Sequence, residues 1–149
     1  NALYIRTDNT MVYSLLLNLK YPNVSLLLNQ MGNCNVTIEK STLLQAVKRI
    51  ESQTVKDDVS LHLHCTGSSL ELHYDVIAEY SKYISESIPC DGDAFDDVIL
   101  NLKNLKNVLS NYSGDKVLLH HDNSERSPFF FENKHGATIE LFLLAVMVK

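Results

Sequence analysis

Two segments of this chain repeat one another. Shifted by 62 positions, VTIEKSTLLQAVKRIE (36–51) lies over VILNLKNLKNVLSNYS (98–113). Val36 then meets Val98, Ile38 meets Leu100, Leu43 meets Leu105, Ala46 meets Val108 and Val47 meets Leu109. Apolar positions coincide through a short strand and through the amphipathic helix after it, so the period changes from two to 3.6 at the same place in both copies. Three further strand-like runs follow each helix: VSLHLHC (59–65), SLELHY (69–74) and IAEYSKYISESI (77–88), then KVLLHH (116–121), PFFFE (128–132) and ATIELFLLAVMV (137–148). A strand–helix–three-strand unit used twice predicts an α+β fold, with two equivalent helices side by side, backed by antiparallel sheets.

The first helix is read over 40–52, with Leu43, Leu44, Ala46, Val47 and Ile50 on one face and Ser41, Gln45, Lys48, Arg49 and Ser52 opposite. In the second, Leu102, Leu105, Val108, Leu109 and Tyr112 form the apolar arc, flanked by Lys103, Lys106 and Ser110. Ahead of the repeats, ALYIRT (2–7) and MVYSLLL (11–17) alternate about a DNT turn and predict a hairpin. NLKYPNVSLLLNQMGNCN (18–35) has no clean period and reads as a long connector, and PCDGDA (89–94) reads as a turn.

At 149 residues and 45% hydrophobic content the chain can bury a real core, and its few Gly and Pro argue against disorder. It opens on Asn1 rather than Met, which points to a processed or excised piece of something longer. No apolar run reaches the roughly 18 residues of a membrane span, and no signal peptide opens the chain. Cys34, Cys65 and Cys90 lack any CxxC spacing and suit a reducing cytoplasm. A net charge of −5 argues against a free-standing nucleic-acid binder driven by counterion release. That charge is unevenly spread: Glu71 to Asp97 holds eight acids against Lys82 alone, whereas the two helices carry Lys40, Lys48, Arg49, Lys103 and Lys106 against Glu51. An acidic chain with one basic paired-helix surface suggests an anionic partner met on that surface.

The sequence holds no GxSxG, P-loop, GxGxxG or HExxH motif, and it reads as non-enzymatic. His62 and His64 share a strand face, but no third ligand stands at a recognisable spacing, so they read as half-exposed strand histidines, with no metal or other cofactor expected. CDGDAFDD lacks the ligand spacing of an EF-hand loop. Cys65 and His64 are adjacent strand residues, point to opposite faces, and make no nucleophile–base pair.

Several segments, taken in order, resemble the C-terminal third of the bacterial sliding clamp, the beta subunit of DNA polymerase III. LKYPN (19–23) is similar to the family's FPDY connector, and EKSTLLQAVKRI (39–50) to the first helix of its third domain. VILNLKNLKNVLSNYSGDKVLLHH (98–121) resembles FNxxYLxDxLxxLxxxxVxL, SPFFF (127–131) resembles SPxxI, and LFLLAVMVK (141–149) aligns with the closing YxxMPxR. The chain departs from these patterns at Asn104, where the family has an aromatic, and in the tail, which has neither the Pro nor the Arg.

The resemblance implies three segments: 1–18 as the last hairpin of the second clamp domain, 19–35 as connector, and 36–149 as the third domain. It implies a processivity factor, a head-to-tail homodimer when full length, closing a ring around duplex DNA. Lys40, Lys48, Arg49, Lys103 and Lys106 would face the DNA. Polymerase, clamp loader and repair proteins would insert short peptides into a cleft involving Pro22, Leu26, Leu27, Asn101, Asn104, Ser127, Leu144, Val146 and Met147. This piece alone would be a cytoplasmic monomer, binding DNA weakly or not at all. Two alternatives stand beside this reading: a protein-interaction module of the same fold without a ring, and a metal- or small-molecule-binding α+β domain using the His-rich strands.

Overall fold

The computed structural model describes residues 2–16, 23–29, 31–54, 59–75, 83–122, 128–135 and 138–145. The expected hairpin forms from β1 (Ala2–Arg6) and β2 (Met11–Leu15), closed by a turn in which the Thr7 amide donates to the Thr10 carbonyl. Leu3, Tyr4, Ile5, Met11, Val12, Tyr13 and Leu15 are all exposed on it. The connector is not wholly irregular. One helical turn, α1 (Val24–Leu28), starts where the Asn23 side chain accepts from the Leu26 amide.

The first repeat comprises β3 (Cys34–Glu39), α2 (Lys40–Ser52), β4 (Ser60–Thr66), β5 (Ser69–Asp75) and β6 (Tyr83–Pro89). A two-residue strand, β7 (Asp91–Gly92), precedes the second repeat: β8 (Ala94–Asn101), α3 (Leu102–Asn111), β9 (Lys116–His121), β10 (Phe129–His135) and β11 (Thr138–Leu144). The first part of the strand expected over 77–88 lies outside the described residues. The expected turn over 89–94 contains β7, which pairs with Val36 and Thr37.

The opening strands are exchanged between the repeats. One sheet runs β6-β5-β4-β8 and the other β11-β10-β9-β3-β7, each taking its β3 or β8 strand from the other repeat. The registers match: Val36 and Ile38 sit opposite Leu119 and Val117, and Val98 and Leu100 sit opposite Leu63 and Leu61. All eight side chains are buried. A short strand that leads directly into a helix cannot hairpin with the strand after it, because the helix fills the space between them. The free edge of the sister repeat completes its hydrogen bonding and closes both sheets over one core.

The helices add the other side of that core. Leu43, Ala46, Val47 and Ile50 of α2 and Leu102, Leu105 and Leu109 of α3 are buried. Along β4, Leu61, Leu63 and Cys65 point into the core while His62 and His64 point away, the alternation of a sheet covered on one face. Cys34 and Cys65 are buried free thiols that pack as small apolar side chains in the core. Cys65 and Cys90 hold their Sγ atoms 3.5 Å apart, and burial together with this neighbour pushes the Cys90 thiol up to about 12. No helix among the described residues is long and apolar enough to cross a membrane.

Candidate nucleic-acid interface and peptide cleft

The two long helices lie against one another with opposite senses. At one end the Lys40 ammonium donates to the Tyr112 carbonyl, just beyond α3. Towards the other, Lys106 donates to the Glu51 carboxylate at 2.8 Å. The five basic side chains of this surface are therefore not equivalent. Lys40 is spent on the helix junction and Lys106 on an ion pair between the helices. Arg49 makes a forked contact with Glu86 of β6, from Nε at 2.8 Å and Nη2 at 2.9 Å. This hydrogen bonding holds the Glu86 carboxyl below its ordinary range and raises the Arg49 guanidinium. Lys48 and Lys103 are exposed, and among the described residues neither pairs with a carboxylate. The partners Glu51 and Glu86 are 55 and 37 residues away in sequence, so helical periodicity could not reveal them.

The expected peptide cleft is only partly within the described residues. Pro22, Ser127, Val146 and Met147 lie outside them, as does the side chain of Leu27. Asn101 and Asn104 meet directly: Asn101 caps α3, its Oδ1 accepting from the Asn104 amide at 3.0 Å. Leu26, on α1, is 61% exposed, whereas Leu144 is 7% exposed at the end of β11, opposite Phe129. A separate pocket of about 420 Å³ opens between the residues after α1 and the end of β9, with Asn29, Met31, Asn33, His121 and Asp122 in its wall. Among the described residues, the expected cleft positions Leu26, Asn101, Asn104 and Leu144 do not line it.

No protein-family model matches this chain, and no curated protein matches it significantly. Solved structures do match. A DnaN sliding clamp (DNA polymerase III subunit beta) of Bartonella birtlesii, bound to griselimycin, aligns over 99% of this chain and 39% of its own, with a TM-score of 0.80 and 12% identity. The DNA polymerase III subunit beta of Pseudomonas aeruginosa aligns over 99% and 40%, with a TM-score of 0.79 and 14% identity. A protein of Eubacterium rectale assigned as a DNA polymerase III beta subunit aligns over 99% and 39%, with a TM-score of 0.75 and 22% identity. The chain has the sliding-clamp fold. It spans about 40% of the length of each clamp it matches.

In this clamp fold, Tyr112 sets the end of α3. Its hydroxyl lies between the carbonyls of Lys116, at 2.8 Å, and Glu132, joining the helix end to β9 and β10. Burial raises the phenol above its ordinary value. The folded protein therefore keeps this proton to a higher pH than the unfolded chain, whose phenol titrates near ~10. Stability from this group is complete below that pH and declines as pH rises through the folded value. Tyr112→Phe is expected to cost about 1 kcal/mol at neutral pH and to flatten the alkaline loss. Urea titrations near neutrality and above pH ~10 check both, and an unchanged alkaline slope would count against Tyr112 as its source.

The polar face of the β6-β5-β4-β8 sheet, away from the helices, holds a grouping that sequence spacing missed. His62 does not pair with His64 in a site. Its Nδ1 is instead 2.8 Å from Asp97 Oδ2 of β8, and its ring stacks on His73 of β5 with centroids 4.5 Å apart. Strand register brings these residues together, and the only signal for it would have been a correct pairing of all three strands.

Proposed function

We propose that this chain is the C-terminal domain of a non-catalytic sliding clamp, preceded by the connector (19–35) and by the last hairpin of the domain before it (1–18). The observation that carries this is the match of the clamp fold over 99% of the chain. The exposed apolar residues of β1 and β2 support the hairpin assignment, since such a ribbon needs a neighbouring sheet to cover it. In the full-length homodimer the domain helps to enclose duplex DNA. Lys48 and Lys103 meet the phosphate backbone, while Lys40 and Lys106 join the two helices and Arg49 ties α2 to β6. Two helix lysines without a carboxylate partner among the described residues suit a protein held on DNA by topology, because tight neutralisation would resist sliding. Polymerase, clamp loader and repair proteins dock through short peptides in the cleft proposed above.

Two measurements on the chain test this. A fluorescent peptide of the glutamine-leucine-leucine-phenylalanine type should bind saturably, and Met147→Ala should weaken it; absence of binding would remove the cleft from the proposal. Anisotropy with a short linear duplex should show little binding at physiological salt. Any residual low-salt binding should lose about two units of log–log salt slope in the Lys48→Glu, Lys103→Glu double variant. Tight binding to linear duplex at physiological salt would sink the encircling reading.

A further inference from the structure

We propose that His62, His73 and Asp97 form a binding site for a divalent transition-metal ion of the zinc type, on the sheet face opposite the helices. Each residue comes from a different strand, and the three strands are adjacent. His62 and His73 are directly opposite in the β4–β5 register, and Asp97 reaches His62 from β8. One ligating atom from each of the three lies within 4.8 Å of the other two. Imidazole nitrogen and carboxylate oxygen bind such ions at about 2.0–2.2 Å, which places ligand atoms roughly 3.3 Å apart in a tetrahedral shell. The 2.8 Å separation between His62 Nδ1 and Asp97 Oδ2 is already close to that spacing. The two rings are stacked with their planes 15° apart, so the His73 ring would turn out of the stack to aim a nitrogen at the ion, and the His62–Asp97 hydrogen bond would give way to two metal bonds. The Nδ1 proton leaves and Nε2 carries the ring's one proton, exchanged through solvent, so His62 binds as neutral imidazole, and water fills the fourth position.

The chemistry of the set selects the ion. Two imidazoles and one carboxylate favour zinc, nickel or cobalt over magnesium or calcium, which prefer oxygen shells. The His62 side chain is 11% exposed and that of Asp97 33%, so the site is half-sheltered but open to solvent for entry. Cys65 follows the opposite face of β4 and takes no part. The position also gives the ion a structural consequence. β8 belongs to the second repeat and β4 and β5 to the first, so the metal would staple the exchanged strand to its host sheet. Because it binds the folded arrangement alone, it would raise the melting temperature in proportion to the logarithm of its concentration.

Isothermal titration of tag-free chain with zinc should give one equivalent bound. His73→Gln and Asp97→Asn should each weaken it by at least about tenfold. Circular dichroism of both variants should match the parent, because both positions are on the solvent side of the sheet. Cobalt should give ligand-field absorption without a thiolate charge-transfer band, and zinc should raise the melting temperature of the parent but of neither variant. The proposal is overturned by absent binding, by binding that survives both substitutions, or by a thiolate band, which would move the metal to the cysteines. Loss of binding on His64→Ala with His73→Gln unaffected would overturn the assignment in favour of the His64–Glu71 pair beside it.

Discussion

Phe129→Ala is expected to destabilise the protein by about 3–5 kcal/mol, a large part of the stability of a domain of this size. Phe129 is fully buried on β10, and its ring meets three others. It is edge-on to Phe95 at 5.6 Å and to Phe131 at 5.7 Å, and tilted against His121 at 5.3 Å. Phe95 belongs to β8 in the other sheet, so this one ring joins the two sheets at their shared core. Alanine would leave a cavity that two hydrogen-bonded sheets can barely collapse to fill. The melting temperature should fall by roughly 10 °C, with the cooperative transition retained. Phe129→Leu should recover more than half of the loss. Thermal and urea unfolding check this, and a loss below about 1 kcal/mol would mean the cluster is not the junction described.

Gly92→Ala should cost roughly 3 kcal/mol, from backbone strain and overlap together. Gly92 has a φ of +151°, where side chains are rarely accommodated. A Cβ there would sit 2.1 Å from the Asn35 carbonyl oxygen and 2.8 Å from Val36 Cα. Both are backbone atoms of β3, so relief requires β7 to move off the sheet edge. The same stretch is tied down by Asp93, whose amide donates to the Asn35 carbonyl at 3.0 Å and whose carboxylate accepts from the Asn35 amide at 2.9 Å. Hydrogen exchange should therefore show lost protection at Asn35 and Asp93, with α2 still protected. Unchanged protection there would refute the role given to Gly92.

Much of the local structure was legible in the residues. The helix read over 40–52 is Lys40–Ser52, and the strand read over 116–121 is Lys116–His121. Period-3.6 and period-2 patterns mark elements clearly when one face is buried and the other wet. The repeat was legible for the same reason, and its offset of 62 carries the start of α2 onto the start of α3. The two-residue β7 was not, since so short a strand has no period and its glycine reads as a turn.

The candidate site divides along the same line. Sequence alone determined the order of elements, the repeat, the amphipathic faces and the presence of five cations on two helices. Those are properties of neighbours along the chain, where side-chain direction follows from backbone geometry. Tertiary structure decided the rest: the exchange of β3 and β8 between sheets, the pairing of Arg49 with Glu86 and Lys106 with Glu51, and the meeting of His62 with His73 and Asp97. Each depends on strand register and helix docking, which are set by the packing of the whole core. A shift of one residue in strand register would turn Glu86, His62, His73 or Asp97 to the other face of its sheet.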